Sequence, residues 1–523
     1  MAQYRLDNQE IGHPGNRYEI VMLADQFGQI VNPLGTAGHI GSSLSAFGEM
    51  ISVPVTPIIQ ADAVYGIEPD QLEVLTSGGG TVTGNTIFQC ASGTTPGGYG
   101  VLRSRRVIRY RPGQGAVVRF TAAFSSPSAN TTQRAGAFSQ ENALMVGYNN
   151  TSFGVLRAAG GRAHIHTFTG TAAASGAETV TVTLNGTPYT VPITAGSIEQ
   201  NIATIGHTSY PGWLVEHYAN TVSFLSTTLG PKSGTFSLVT SNGGTFAGTG
   251  GVAQTGVAQT DHWTPQSQWN GDRLDGTGPS QMLLDPAMLN VYQIDYRWLG
   301  VGKISYCVED QRTGQLIAFH TEHYTNQHLT PHITNPSLKL GYVAASMGTG
   351  SSNVVVTGAS MMGGIQGLIN VTDWPTAVSA TRTDSMSSAS SYYHLITVRN
   401  GLIHNNHINA QELLVKSVSA AATIAGGGIG LISLYIDAVP TVDLSFAPVQ
   451  YHSSVLVSKT QTTINTTATL PPIFEFYVTS GDTQTIPLDA LRIIIPPNAQ
   501  ITATVQSAGT ISAASAAITF VED

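Results

Sequence analysis

Imidazole is the side chain most able to bind a metal or move a proton near neutral pH. This sequence groups its histidines most densely at His320, His323, His328 and His332. Zinc takes imidazole readily, but the helical form of such a site is H-E-x-x-H, with both ligands on one face. Here Pro331 and the Asn- and Thr-rich surroundings place the group on a loop. Loop histidines serve more commonly at a contact surface, and between subunits their protonation below about pH 6.5 would loosen the contact. His164 and His166, two residues apart, would share one face of a strand, and His404 and His407 fall on a turn. The stretch Asn270 to Gly276 offers Asp272 and Asp275 as oxygen ligands of the kind calcium takes. Its spacing departs from the EF-hand rule, and an ordinary Asx-type turn accounts for it. We expect no metal and no cofactor.

The densest positive cluster is Arg103, Arg105, Arg106, Arg109 and Arg111. On a strand, Arg105, Arg109 and Arg111 would share one face and Arg106 the other. An exposed arginine row binds phosphate or sulfated glycan. Guanidinium forks also match carboxylates, so we expect pairing with acidic residues of a neighbouring strand or subunit. Nucleophile motifs are missing: there is no G-x-S-x-G, and Gly302-Lys303 has Arg297 where a phosphate-binding loop needs glycine. A glycosidase would need two carboxylates across a cleft, and the sequence offers Asp295 and Glu309 without pairing them. Trp263, Trp269, Trp298 and Tyr296 are candidates for stacking on sugar, although core packing is the commoner use. The chain is therefore expected not to be an enzyme. Its arginines, histidines and tryptophans stand as interface or ligand candidates.

These residues must be held by a scaffold of 523 residues, long enough for about three or four domains. Only 10% of the residues are charged, against about 25% in ordinary soluble proteins, and 57 are glycine. A surface of hydroxyls and small side chains desolvates cheaply, so the composition points to close packing against further subunits. The net charge of −9 argues against direct nucleic-acid binding. Two cysteines, Cys90 and Cys307, exclude a disulfide framework, and buried thiols are the expected use. The opening MAQYRLDNQE lacks a basic start followed by an apolar run. We therefore expect no signal peptide, synthesis in a cytosol, and, without any long apolar stretch, no membrane insertion.

Alternation of apolar and polar residues, punctuated by Gly and Pro, predicts an all-β fold. Residues 1–75 read as an extended N-terminal arm, with Pro54 and Pro57 excluding a helix interior or a central strand. Strand patterns recur over 76–166 and 261–365, similar in length and punctuation, and predict one discontinuous sandwich. Within it, 167–260 reads as an inserted α+β unit. A hairpin turns there at Asn185-Gly186, and Ser197 to Gln200 forms a capping box for a helix carrying Ile198, Ile202 and Ile205. Residues 366–391 read as a Ser/Thr/Ala-rich linker and 392–523 as a C-terminal β-sandwich.

The run from Val101 to Gly115, with Arg119 to Phe124, Ala135 to Phe138 and Gly147 to Asn150, resembles segments of virion structural proteins. These belong to tailed phages and large double-stranded DNA viruses, as tail, fibre or capsid-associated components. Tyr296 to Gly302, with Val308 to Asp310 and Thr313-Gly314, is similar to the lectin-like, concanavalin-type sandwiches such proteins carry. The resemblance implies two jelly-roll or concanavalin-like domains, location in the virion, and homo-oligomeric assembly with itself and with other virion proteins. It implies no catalytic residues. One alternative is a host-attachment adhesin that binds surface glycan, and a more distant one is a polysaccharide-degrading enzyme.

Overall fold

The computed structural model describes residues 54–523 other than 242, 368–373, 451, 452, 466, 467 and 470, together with three short strands before them. Those strands, Gln3–Tyr4, Met22–Ala24 and Ile30–Val31, pair antiparallel. The rest of the expected arm up to residue 53 lies outside the described residues, as does part of the expected linker. Two compact units result: one holds the residues through Val55 with Gln366–Leu368, the other Thr56–Ile365 and Ile369–Asp523. Among the described residues, every sheet of more than three strands is carried by the second unit, and one α-helix accompanies them. The fold is thus nearly all β, with antiparallel sheets.

Two large sheets share the first core. In one, the edge-to-edge order is Thr260–Pro265, Ser152–Ala159, Ala143–Asn149, Thr131–Phe138, Lys339–Ser346, Tyr99–Ser104, Leu72–Ser77. The other centres on Gly115–Phe124 and Asn290–Tyr296, flanked by Ile304–Glu309 and Val355–Gly358. Strands from before and after the inserted segment thus interleave in both sheets. Alternate residues of each strand face inward, as the two-residue period of a strand requires. Leu102, Leu144, Val155 and Tyr342 from one sheet meet Phe120, Phe124, Tyr292, Ile294 and Tyr306 from the other. Phe120 stacks on Tyr292 with ring centroids 5.8 Å apart, and the Tyr342 hydroxyl crosses the core to donate to the Thr121 carbonyl at 3.0 Å. Both cysteines are free and buried, and burial pushes each thiol up to about 12.

Three local expectations change. Residues 55–77 belong to the sheets and not to an arm: Val55–Asp62 pairs with Ser360–Gln366, and Leu72–Ser77 with Tyr99–Ser104. Pro57 is tolerated because Val55–Asp62 has a single partner strand, so its missing N–H falls on an edge. The segment Arg105 to Arg111 is not a strand, and its backbone makes one isolated bridge, from Ile108 to Leu338. Its arginines follow no two-sided alternation: Arg105 and Arg106 have separate partners, while Arg109 and Arg111 share Asp523. Thr376–Arg382, expected in the linker, is a strand paired along its whole length with Ile511–Glu522.

The inserted segment has its own core. Ala163–Ala172 lies between Thr221–Leu229 and Ala247–Gln254, while Glu178–Leu184 pairs with Thr187–Ile193 around Asn185 and Gly186, at φ 50° and 87°. Both positive angles are what a two-residue hairpin of this kind demands. The helix Ile198–His207 begins with the full capping box between Ser197 and Gln200 and buries Ile202 and Ile205 against Phe168 and Phe224. Gly206 lies in the last turn of this helix, against the His217 ring. A third core joins the sheet of Thr376–Arg382, Leu413–Ile424 and Ile511–Glu522 to the sheet of Tyr393–Asn400, Ile429–Ile436 and Gln500–Gln506.

Candidate functional site

The arginine segment sits where the first core meets the C-terminal sheets. Arg111 gives both oxygens of Asp523 a hydrogen bond at 2.7 Å, and Arg109 approaches the same carboxylate at 3.4 Å. Arg106 pairs with Glu412 at 3.3 Å, whose other oxygen accepts the Val107 N–H at 3.1 Å. Glu412 and Asp523 are themselves joined by reciprocal backbone hydrogen bonds of 2.9 and 2.8 Å. Arg105 faces elsewhere and donates to the Pro69 carbonyl. Arg103 and Lys339 share Glu73, at 2.7 and 3.4 Å, and hold its carboxyl down at about 2 against the effect of burial.

The inserted segment is joined to the same C-terminal sheets through Glu216. This carboxyl is buried, and its Oε1 accepts the backbone N–H of Leu402 at 2.6 Å and of Ile403 at 3.4 Å. Burial pushes Glu216 up to about 7, against the pull of those two N–H groups and of the Arg399 guanidinium. Gly401 is required here: a Cβ would lie 2.6 Å from the Ser454 carbonyl and 2.9 Å from Glu216 Oε1. Nearby, His207 meets Asp443 at 2.8 Å, and Ala163, Ile165 and Leu225 pack against Leu402.

These joins frame a cleft of about 490 Å³. Arg109, Tyr110, Glu141 and Arg162 line one side, with Thr334, Asn335 and Ser337. The other side is the hairpin Ile403–His404 and His407–Ile408, continuing through Gln411. Asn405 and Asn406 form its turn with φ of 49° and 61°, a left-handed conformation that asparagine accepts. Burial raises the Glu141 carboxyl despite the nearby Arg162, and lowers the His407 imidazole, with Arg162 and His404 adding to that shift. The wall therefore combines guanidinium, imidazole, amide and hydroxyl groups.

Of the residues singled out in sequence, the structure brings Arg109, His404 and His407 to this cleft and leaves the others apart. His320 lies on the strand Leu316–Glu322, buried beneath Tyr306, and His332 is fully buried. Both pack into this chain's own interior, His332 completely and His320 with 7% of its surface exposed. Burial and the Arg157 guanidinium push His332 down to about 4. His323 and His328 are exposed on the loop, with His328 stacked 3.8 Å from Tyr324. Arg157 binds this region together, pairing with Glu322 at 2.5 Å and donating to the His332 carbonyl at 2.9 Å. Among the described residues, no three His, Cys, Asp or Glu side chains come together to hold a metal.

Trp269 is buried against Phe319, with centroids 4.2 Å apart, so it is a core residue and not a sugar platform. Trp298 is half-buried and donates to the Ile333 carbonyl, and Trp263 lies under Arg134. The three indoles do not share a surface. Sequence reasoning missed Glu141, Arg162 and Asn335. Each is supplied by a different segment, and only the folded topology assembles them. No protein-family model matches the chain, and no curated protein matches its sequence.

Proposed function

We propose that the chain is a structural subunit of a virus particle, of the tail, fibre or capsid-associated type, and that it works by assembling with copies of itself and not by catalysis. The observation that supports this most is the character of the exterior. Large apolar side chains stand in water: Tyr65 and Trp374 are 92% exposed, Leu283 70% and Met347 68%. Meanwhile much of the scarce charge is engaged within the chain, in the pairs made by Arg103, Arg106, Arg111, Arg157 and Arg382. A surface that exposes bulky apolar groups and spends its charges internally suits burial against further subunits. The concanavalin-like identity of the first pair of sheets and the jelly-roll identity of the C-terminal pair belong to the same reading, as does location in the virion.

Mass photometry of the purified chain, followed by negative-stain imaging, tests it. A defined ring, trimer or lattice is the expected result. A chain that stays monomeric across its soluble range and fails to join particles when mixed with them would overturn the reading.

A further inference from the structure

Two arginines reach the cleft with donors to spare. Arg162 is exposed, and among the described residues no side chain pairs with it. Arg109 has one long contact, 3.4 Å to an Asp523 oxygen that Arg111 already occupies at 2.7 Å. The single carboxyl in the wall, Glu141, is outnumbered by the two guanidinium groups of Arg109 and Arg162. The local balance is therefore positive, in a chain whose net charge is −9. A polyanion is disfavoured by that net charge. Asn335 Oδ1 accepts the Ser337 N–H at 3.0 Å and Ser337 Oγ accepts the Tyr110 N–H at 3.3 Å, which leaves the Asn335 amide N–H groups and the Ser337 O–H as donors beside the guanidinium groups, more than a bare anion would use. The volume, about 490 Å³, falls within the range of small-ligand sites.

We propose that this cleft binds a carboxylate-bearing saccharide, a sialic or uronic acid unit of a glycan. Its carboxylate lies on Arg162 and Arg109, as the guanidinium fork favours. Its ring hydroxyls meet Asn335, Ser337 and Asn405, and Ile408 supplies an apolar wall for the ring. The site lies within one chain, so the assignment stands independently of the assembly reading, and its test reads ligand and not oligomer.

Saturation-transfer NMR on the full chain, with N-acetylneuraminic acid and glucuronic acid as probes and glucose as the neutral control, tests the assignment. Transfer to ring protons of at least one acidic sugar, and none to glucose, is expected. Arg162→Gln should weaken binding about tenfold or more, the loss of one charge-assisted pair. Its melting temperature should not change, because Arg162 is exposed and unpaired. Asn405→Gly, which keeps the left-handed turn, should also weaken binding. The proposal is overturned by absence of transfer to both acidic sugars, by equal transfer to glucose, or by binding that ignores Arg162→Gln. Displacement of the sugar by equimolar inorganic sulfate would also overturn it, since the site would then be a simple anion hole.

Discussion

Asp523 receives two guanidinium groups and Glu412 receives a third together with a backbone N–H, so each carboxylate closes several donors at once. Removing such an acceptor strands the donors, which costs more than the pair itself contributes. Asp523→Ala should lower the unfolding free energy by about 2 kcal/mol in urea titration, because the partly exposed site lets water take over some of the donors. Unchanged stability would show that the arginine segment is held by packing alone. Glu216 separates shape from charge. Glu216→Gln keeps an oxygen for the Leu402 and Ile403 N–H groups, while Glu216→Ala orphans both. The alanine variant should lose about 2 kcal/mol and the glutamine variant little or nothing above pH 7. Equal losses in both would mean that the charge, and not the acceptor, makes the join.

At the scale of elements, the helix Ile198–His207 shows how a short sequence signal suffices when the stabilising contacts are local. Ser197 and Gln200 satisfy each other's backbone N–H groups, so Ser197→Ala should cost about 1 kcal/mol in stability of the inserted segment. Loss of helical circular dichroism at a lower denaturant concentration would register it. Such signals, with Asn185-Gly186 and the apolar alternation of the large sheets, made the β class and the hairpin-and-helix segment legible. Other features depend on distant partners and leave no local trace. Thr376–Arg382 buries little more than Ala380 and Arg382, and it is a strand because Ile511–Glu522 offers it an edge. Arg105 to Arg111 alternates like a strand, yet its side chains are drawn to acids some three hundred to four hundred residues away, and the ladder is given up. The cleft was illegible for the same reason. Its turn histidines could be named from the sequence, but nothing adjacent announced that Arg162 and Glu141 would face them.

Across the whole molecule, buried imidazoles set the response to acid. His217, His332 and His394 are fully enclosed, and burial lowers them from the usual 6.5 to about 3, about 4 and about 4. His394 is further tied by both ring nitrogens, to the Thr460 carbonyl at 2.6 Å and the Thr397 hydroxyl at 2.8 Å. A group depressed in the folded state supports folding above its ordinary value and ceases to do so as pH falls through the folded one. Glu216, raised to about 7, acts in the opposite sense: its contribution is complete below 4.5 and is lost as pH rises through 7. These imidazoles, joined by His166 at about 4, outweigh the raised carboxyls Glu216, Glu141, Asp295 and Asp437, so the melting temperature should fall as pH is lowered from 6.5 to 4. The fall should be steeper in Glu216→Gln, which lacks one of the opposing groups. A flat or rising profile in calorimetry would contradict this account. This acid response belongs to the chain's interior and is separate from any loosening of contacts between subunits by exposed loop histidines such as His323 and His328.

The strand Lys339–Ser346 lies in the middle of its sheet, bonded to Thr131–Phe138 on one side and to Tyr99–Ser104 on the other. A ribosome that has released Phe138 must add roughly 200 more residues before this strand exists, which takes roughly 10–40 s at ordinary elongation rates. Throughout that interval the two flanking strands have open edges, while the inserted segment, whose strands pair among themselves, is free to close. Synthesis thus imposes an order on folding: the insertion is finished before the sheets that carry it. In the meantime the nascent chain exposes unpaired edges of the kind that chaperones cover and that neighbouring nascent chains on a polysome are able to join.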